Sequence, residues 1–308
     1  MIVNSPTATG KTKLAVNLAQ RYGGEIISAD SLQVYRYLDI GTAKPSFEER
    51  KKVRHHLIDV VDPDEEFNAA IFARQAHSII DELARSGKRA FVVGGTGLYI
   101  RALLQGMIDT PAVDAGIRNH YRRLCSERGK EHLYQLLIQK DEESARRINP
   151  NDSVRIIRAL EVWEQTGKSI VHMQKRHAFG DCRYHAYKIG LKLERTKLKQ
   201  KIETRTDEMI EAGLLSEVKS LLARGYDENI KPMQSLGYKQ IMDFLKGRRN
   251  WEQTVQIIKR QTWLYAKRQM TWFAADHDIK WYAPESTKEI EENVDLFFKN
   301  YGPGGEFE

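Results

Sequence analysis

The chain has 308 residues, of which 41% are hydrophobic and 30% are charged, so it is long enough for one large or two modest domains with a buried core. Its formal net charge of +7 suggests an anionic partner, although a solvated surface rich in lysine and arginine would give the same balance. The two cysteines, Cys125 and Cys182, have no paired spacing, which argues against a disulfide framework or a zinc knuckle and favours a cytosolic protein. No apolar run approaches the ~18 residues of a membrane span, and the N-terminus lacks the pattern of a signal peptide.

The first 110 residues alternate between strand and helix patterns. The predicted strands cover residues 2–3, 25–28 and 89–93, and the predicted helices cover 11–22 and 67–86. This alternation predicts a parallel sheet covered on both faces, with ligands binding at the carboxyl ends of its strands. The first strand is unusually short, because a strand ordinarily has ~5–6 residues.

The next segment, 112–186, has helical periodicity and no convincing strand. Residues 112–188 hold 15 Lys and Arg against 10 Asp and Glu, which is most of the excess positive charge of the chain. We therefore expect residues 112–186 to form an inserted helical domain that carries this positive charge. A strand after residue 186 should return to the sheet, so the core comprises 1–111 and 187–300, with a mobile tail at 301–308. The expected C-terminal helices cover 195–212, 214–224, 236–246 and 251–274.

Eight residues between the first strand and the first helix resemble a phosphate-binding loop: Ser5, Pro6, Thr7, Ala8, Thr9, Gly10, Lys11 and Thr12. They match G-x-x-x-x-G-K-[ST] except that Ser5 replaces the first glycine. Such a loop points backbone amides and a lysine at a phosphate and supplies a hydroxyl for magnesium, here Thr12. If position 5 requires positive φ, its serine would cost ~1 kcal/mol. The alternative is a chance Gly-Lys-Thr at a helix start.

The loop leaves a kinase, a nucleotide hydrolase and a diphosphate-releasing transferase open, so the motifs that follow it matter. They are Ser-Ala-Asp-Ser-Leu-Gln-Val-Tyr at 28–35, Asp-Ile-Gly-Thr-Ala-Lys-Pro at 39–45, His-His-Leu-Ile-Asp at 55–59 and Gly-Gly-Thr-Gly-Leu-Tyr at 94–99. An acid that ends a strand beside the loop, Asp30, can reach a group attacking a phosphorylated carbon. Taken singly, Asp30 could be a helix N-cap and the glycine pair a plain turn.

Three later motifs complete the pattern: Asn-Asp-x-x-Arg-x-x-Arg-Ala-Leu-Glu from 151, Gly-Tyr-Lys-Gln from 237 and Tyr-Ala-Lys-Arg-Gln-Met-Thr-Trp from 265. In this order, the set resembles the tRNA dimethylallyltransferase (tRNA isopentenyltransferase) family over nearly the whole chain. The resemblance implies an α/β fold, with a P-loop NTPase-like parallel sheet, flanking helices and an inserted all-helical domain. It also implies a cytoplasmic, monomeric enzyme with Mg²⁺. This enzyme would transfer the dimethylallyl group of dimethylallyl diphosphate to the exocyclic N6 amine of the adenosine 3′-adjacent to the anticodon.

The same resemblance implies roles for individual residues. The loop 5–12 would hold the diphosphate, with magnesium at Thr12. Asp30 would be the general base, and Thr96 would place a hydroxyl near the bridging oxygen. Lys11 and Arg205 would bind the diphosphate, for which a forked guanidinium is well suited. The alternative for Arg205 is a solvated helix face.

The resemblance implies tRNA contacts in four places. They are Asp30, Ser31, Leu32, Gln33, Thr96, Arg118, Val154, Arg155, Ile156, Ile157, Arg158, Gln234, Ser235, Leu236, Gly237, Tyr238, Lys239, Lys267, Arg268, Gln269, Met270, Thr271, Trp272, Phe273 and Ala274. In the last of these places, basic residues are interleaved with aromatics and no acid occurs between 252 and 276, which fits phosphate contact with base stacking. The alternative assigns Trp263 and Trp272 to the core.

Three other functions fit parts of the pattern. A prenyltransferase acting on free adenine nucleotides would not need the basic insertion or the basic C-terminal helix. A small-molecule P-loop kinase is disfavoured by Asp30-Ser-x-Gln and by the lack of a recognisable kinase lid. A non-catalytic tRNA-binding remnant would account for Ser5 and the short first strand.

Overall fold

The computed structural model describes residues 1–108, 110–177 and 183–301, and in them six strands form one parallel sheet. The strands are β1 (Ile2–Asn4), β2 (Gly24–Ser28), β3 (His55–His56), β4 (Arg89–Gly94), β5 (Lys188–Leu191) and β6 (Ile279–Tyr282). Their order across the sheet is β3-β2-β4-β1-β5-β6. The sequence did not predict β3 or β6. Both lie at the sheet edges, and neither has the apolar run that identified the central strands.

The shortest predicted strand is confirmed, and β1 lies at the centre of the sheet. Val3 pairs with Val93 of β4 on one side and with Ile189 of β5 on the other. A parallel strand with neighbours on both sides is buried on both faces, which explains why Ile2 and Val3 are apolar. The carboxyl ends of β1, β2 and β4 lie side by side, so the loops that follow them meet at one edge of the sheet.

Helices cover both faces of the sheet. The helices are α1 (Lys11–Arg21), α2 (Phe47–Lys52), α3 (Ala69–Arg85), α4 (Gly97–Gln105), α5 (Ala115–Lys140), α6 (Glu142–Ala145), α7 (Ser153–Thr166), α8 (Ile170–His177), α9 (Arg195–Glu211), α10 (Leu214–Ala223), α11 (Tyr238–Leu245), α12 (Trp251–Ala274) and α13 (Thr287–Tyr301), with a 3₁₀ helix at Lys231–Gln234. Alternate residues of β2 and β4 enter different clusters, with Ile27 and Val92 on one face and Ile26 and Phe91 on the other. Both faces of the sheet are therefore packed.

The chain divides into two compact units. One contains Met1–Leu104 and the chain from Tyr184 onward, and the other contains Gln105–Arg183. The second unit holds α5 to α8 and has its own core around Leu133, Leu137 and Leu160. A parallel sheet with flanking helices, together with a separate all-helical unit, confirms the predicted fold class. The predicted tail lies outside the described residues except for Tyr301, which ends α13.

Within the described part of the chain, no helix is both long and apolar enough to cross a membrane.

Candidate active site

The phosphate-binding loop joins β1 to the N-terminus of α1. Gly10 has φ of 93° and immediately precedes α1. The free backbone amides of the first helical turn therefore lie at the end of the helix that faces the loop. The Thr9 hydroxyl contacts Ser5 Oγ and Pro6 O, both at 2.9 Å, which closes the loop on itself. Ser5, Pro6 and Thr9 are buried. Their side chains therefore shape the loop, and a bound diphosphate would meet the backbone amides of the loop, as the motif predicts.

The strain expected at Ser5 is not found there. Among the described non-glycine residues, positive φ occurs in this loop at Ala8, at 65°, and not at Ser5. A serine is therefore compatible with the first position, where its hydroxyl accepts a hydrogen bond from Thr9. The left-handed conformation is instead carried by Ala8, at a cost of roughly 1–2 kcal/mol.

Gln269 of α12 connects the phosphate-binding loop to the loop after β4. Its Oε1 accepts a hydrogen bond from Thr7 N at 2.9 Å, and its Nε2 donates to Gly95 O at 2.9 Å. The side chain is 6% exposed. A Cβ at position 95 would lie 2.2 Å from Gln269 Nε2, so the glycine permits this approach. Both ends of the Gln269 amide therefore bind backbone inside the protein, which gives this residue a structural role beside its predicted tRNA contact.

Gln269→Met should lower the free energy of unfolding by about 2–5 kcal/mol, because it leaves Thr7 N and Gly95 O buried without partners. Urea unfolding followed by circular dichroism would measure the change. Gln256→Met, at an exposed position of the same helix, is the matched control and should have little effect. Equal stabilities for the two variants would contradict the bridging role of Gln269.

Asp30 and Thr96 organise the loops after β2 and β4. Asp30 Oδ1 accepts from Leu32 N at 2.9 Å and from Gln33 N at 3.4 Å, so the carboxylate caps its own loop. Thr96 Oγ1 accepts from Ser31 N at 3.0 Å, which joins the two loops. The structure therefore brings the predicted catalytic residues of three separate motifs to one edge of the sheet.

Two cations face Asp30 in this site. The pKa of Lys11 is lowered to about 8, mainly by burial and also by the neighbouring Arg205, with Asp30 partly offsetting the two. Burial also lowers the pKa of Arg205, and Asp30 again opposes the shift. A pair of partly desolvated cations with one carboxylate leaves an excess of positive charge, which a bound phosphate would neutralise.

These groups line a cavity of about 690 Å³, which is large enough for a small ligand and part of a second one. From the phosphate-binding loop, its wall includes Thr7, Ala8, Gly10, Lys11 and Thr12. Apolar parts of the wall are formed by Ile202, Met209, Leu214, Ile258 and Tyr265. The cavity thus has both cationic and apolar groups in its lining.

Two arginines that were predicted to contact tRNA form ion pairs inside the helical unit. Arg118 Nη2 lies 2.8 Å from Glu161 Oε2, and Arg158 Nη1 lies 3.1 Å from the same atom, while Glu161 is fully buried. Removing a buried acid from water requires such partners, so both arginines stabilise the unit. Ile156 and Ile157 are also buried in its core. Tyr238 and Phe273, in the other unit, are likewise buried, so the four buried side chains have structural roles. Arg118 and Arg158 stay partly exposed beside Glu161, and their tRNA contacts remain a prediction.

Other predicted tRNA-contacting residues are accessible. Val154 is 77% exposed and Trp272 is 41% exposed, so the alternative that Trp272 belongs to the core is wrong. Gln234, Lys239, Arg155, Lys267, Arg268, Thr271 and Ala274 are also exposed, Met270 is half-buried, and Ser235, Leu236 and Gly237 line the cavity. Trp263 is half-buried, with Lys267 Nζ 5.8 Å from its ring centre.

Tyr265 was predicted only as one of the aromatics interleaved with basic residues, although it also lines the cavity and burial raises its pKa, with Asp30 adding to the shift. A signal was present, because Tyr265 precedes Gln269 by four residues on α12 and so shares its helix face. Glu217 of α10 was also missed, and it binds the backbone of a loop that borders the cavity.

Comparisons with known proteins place this site in a family. A family model described as IPP transferase matches residues 33–276. The tRNA dimethylallyltransferase 2 of Syntrophus aciditrophicus is 51% identical over 290 residues, which are 94% of this chain and 93% of that protein. The crystal structure of the tRNA isopentenylpyrophosphate transferase of Bacillus halodurans matches with 38% identity and a TM-score of 0.71, covering 96% of this chain and 94% of that one.

A third match is a crystal structure of a eukaryotic dimethylallyltransferase acting on tRNA. It has a TM-score of 0.78 and 27% identity, and the match covers 97% of this chain and 77% of that one. The extent of these similarities, together with a phosphate-binding loop beside Asp30 and Thr96, shows that the chain belongs to the tRNA dimethylallyltransferase (tRNA isopentenyltransferase) family.

Proposed function

We propose that the protein is a cytoplasmic, monomeric enzyme that transfers the dimethylallyl group of dimethylallyl diphosphate to N6 of the adenosine 3′-adjacent to the anticodon of tRNA. The observation that supports this most strongly is one cavity lined by the cations Lys11 and Arg205, by Asp30 and by apolar side chains. A diphosphate ester with a short hydrocarbon chain matches this lining, because its diphosphate is anionic and its chain is apolar. Membership of the family supports the reaction and its tRNA substrate.

In the proposed reaction, the bond between C1 of the dimethylallyl group and the bridging oxygen breaks, and its electron pair leaves with the diphosphate. Lys11, Arg205 and the amides at the start of α1 bind the diphosphate and stabilise the charge that grows on it. The Thr96 hydroxyl has a proton to offer, because its oxygen accepts from Ser31 N and its own contact with Ser31 Oγ is long, at 3.5 Å. In this proposal Thr96 donates to the bridging oxygen from beside Ser31, which lines the cavity.

A new bond forms between C1 and N6 of the adenosine as the old bond breaks. The N6 lone pair is delocalised into the base, so a group that accepts the N6 proton assists the attack. Asp30 fits this role, because it lines the cavity next to the two cations that bind the leaving group.

Magnesium fits the site through Thr12, which lines the cavity at the start of α1. Among the described residues, no group of three or more His, Cys, Asp or Glu side chains could hold a metal ion by itself. Mg²⁺ bound to a diphosphate commonly takes only one or two protein oxygens and keeps several waters. The ion would supply further positive charge to the leaving group.

The proposed function is tested by incubating the protein with dimethylallyl diphosphate, Mg²⁺ and unmodified tRNA, followed by mass spectrometry of the digested tRNA. We expect one added dimethylallyl group at the adenosine that follows the anticodon. Parallel incubations with AMP and with ATP test the alternatives. Prenylation of AMP but not of tRNA, or ATP-dependent phosphoryl transfer, would contradict the proposal.

Binding of the diphosphate should weaken at alkaline pH. The proposed ligand requires Lys11 in its cationic form, and Lys11 has a pKa of about 8 in the free protein. As the pH rises through this value, Lys11 loses its proton, so the Kd of a non-reactive thiodiphosphate analogue should rise about tenfold per pH unit above the pKa. Lys11→Arg should lack this rise, because arginine stays charged. Superimposable pH profiles for the two proteins would contradict the assignment.

The exposed basic end of α12 should contribute to tRNA affinity through phosphate contacts. Replacing both Lys267 and Arg268 by alanine should weaken tRNA binding and reduce the slope of log K against log salt by roughly 1.4–1.8, or ~0.7–0.9 per contact. Filter binding between 50 and 300 mM salt measures the slope. Lys288→Ala removes a lysine of α13 that is 92% exposed and is the control. An unchanged slope in the double variant would identify both residues as solvated surface.

A further inference from the structure

A loop that borders the cavity is held in shape by a carboxylate outside the cavity. In this loop, residues 39–44, three consecutive amides donate to Glu217 of α10. Asp39 N and Ile40 N donate to Oε2 at 2.9 and 2.7 Å, and Gly41 N donates to Oε1 at 3.1 Å. Three successive amides that donate to one carboxylate fix the path of the backbone. Breaking any of the three bonds would leave the charged Glu217 oxygens with fewer hydrogen-bond donors.

Tyr238 completes the arrangement from α11. Its hydroxyl donates to Glu217 Oε1 at 2.7 Å, and its ring is fully buried against Gly41. A Cβ at position 41 would lie 2.5 Å from the ring. Only a glycine at this position therefore lets the loop approach Tyr238 so closely. Both oxygens of Glu217 therefore face only donors, and the carboxylate joins two helices to the loop.

The loop in turn orients Gln33, one of the residues predicted to contact tRNA. Gln33 Nε2 donates to Thr42 O at 3.2 Å and to Ala43 O at 3.3 Å, while its Oε1 accepts from Ser28 Oγ at 3.0 Å. Gln33, Thr42 and Ala43 all line the cavity. The direction of the Gln33 amide is thus set by carbonyls of the loop that Glu217 holds.

We propose that Glu217 is a positioning residue for recognition of the target base, acting through the loop 39–44 on Gln33. This inference rests on the proposed function, since it assigns the Gln33 side of the cavity to the adenosine. The diphosphate would be bound by Lys11 and Arg205. The hydrogen bonds of Glu217 go to the amides of residues 39–41 and to the Tyr238 hydroxyl, and not to either cation. Glu217 should therefore affect the two substrates unequally.

The test is Glu217→Gln, assayed with dimethylallyl diphosphate and an unmodified anticodon stem-loop RNA. Glutamine has the same shape, but its NH2 group would face either two amides or an amide and the Tyr238 hydroxyl, all of which are donors. We expect KM for the RNA to rise about tenfold or more, with kcat within about threefold of the wild type and the Kd of the thiodiphosphate analogue within about twofold. Tyr238→Phe removes one of the four hydrogen bonds and should raise the RNA KM by a smaller factor, about threefold.

A double-mutant cycle separates positioning from general weakening. In a Gln33→Ala background, Glu217→Gln should raise the RNA KM less than twofold further, because the side chain that it positions is already absent. Asp243→Asn is the structural control. Asp243 binds Arg248 and Arg249 at 2.9 and 2.6 Å and does not line the cavity, so its loss should lower the melting temperature without changing the ratio of the two substrate affinities.

Each result decides the matter. A wild-type RNA KM in Glu217→Gln, an equal loss of affinity for both substrates, or full additivity with Gln33→Ala would overturn the inference while leaving the proposed function intact. Failure of the wild-type protein to prenylate tRNA would overturn the proposed function itself and the inference with it. If Glu217→Gln does not fold, Tyr238→Phe and its cycle with Gln33→Ala decide in the same way.

Discussion

Asp30→Asn is expected to lower the rate of prenyl transfer by about 10²–10⁴-fold, the range attributed to a general base. Asparagine retains an Oδ1 that can accept from Leu32 N and Gln33 N, so the loop after β2 should keep its conformation. The variant loses only the group that would take the N6 proton. Single-turnover rates at saturating substrate, with tRNA affinity measured by filter binding, should show a lower rate and an affinity within about threefold of the wild type.

The pH of this measurement matters, because Asp30 also raises the pKa of Lys11. Without that carboxylate, the pKa of Lys11 falls, and the lysine remains cationic only at lower pH. Rates should therefore be compared at about pH 6.5 as well as at higher pH. Asp207→Asn, which removes an acid paired with Lys259 at 2.7 Å, is the matched control. An unchanged rate in Asp30→Asn would exclude Asp30 as the base.

Lys11→Met should weaken binding of the thiodiphosphate analogue by about 30-fold to several thousand-fold. This range corresponds to ~2–5 kcal/mol for removing one partner of a desolvated charge pair. The same substitution should raise the melting temperature of the free protein. Burial and Arg205 both lower the pKa of Lys11, which means that the folded state disfavours its charge relative to the unfolded state. Calorimetric titration and thermal melts measure the two effects.

Lys11→Met is expected to weaken ligand binding and to raise the melting temperature, and these opposite changes distinguish an electrostatic effect from misfolding. A loss of affinity caused by misfolding would be accompanied by a lower melting temperature, which would contradict the electrostatic explanation. Lys199→Met replaces a lysine of α9 that is 60% exposed and should change neither quantity.

Local signals in the sequence were sufficient for the phosphate-binding loop and for the central strands. The loop motif is contiguous, and β1, β2 and β4 are short apolar runs followed by polar or glycine residues, so their carboxyl ends could be placed together before the structure was known. The helices from α9 to α12 were also predicted with bounds close to those observed, since glycines at 213 and 225 mark the ends of two of them with φ of 102° and 90°.

The roles of single side chains were harder to predict, because they depend on partners far away in the chain. Arg118 and Arg158 look like tRNA ligands in the sequence, and only the burial of Glu161 shows that they compensate an internal charge. Gln269 is surrounded by basic and aromatic residues, yet its amide is used by Thr7 and Gly95. Periodicity and composition do not contain this information.

The position of β1 in the sheet has a consequence for the order of folding. This strand is synthesised before the other five described strands but needs β4 on one side and β5 on the other, and β5 is made only after the whole helical unit Gln105–Arg183. The contacts within the helical unit join residues that are closer together in the sequence than the paired strands are. This unit can therefore fold before β5 completes the centre of the sheet. Until Lys188–Leu191 has been synthesised, β1 lacks a partner strand on one side, next to the phosphate-binding loop. The ability to bind substrate should therefore appear late in synthesis, well after the unit that contains the sheet has begun to collapse.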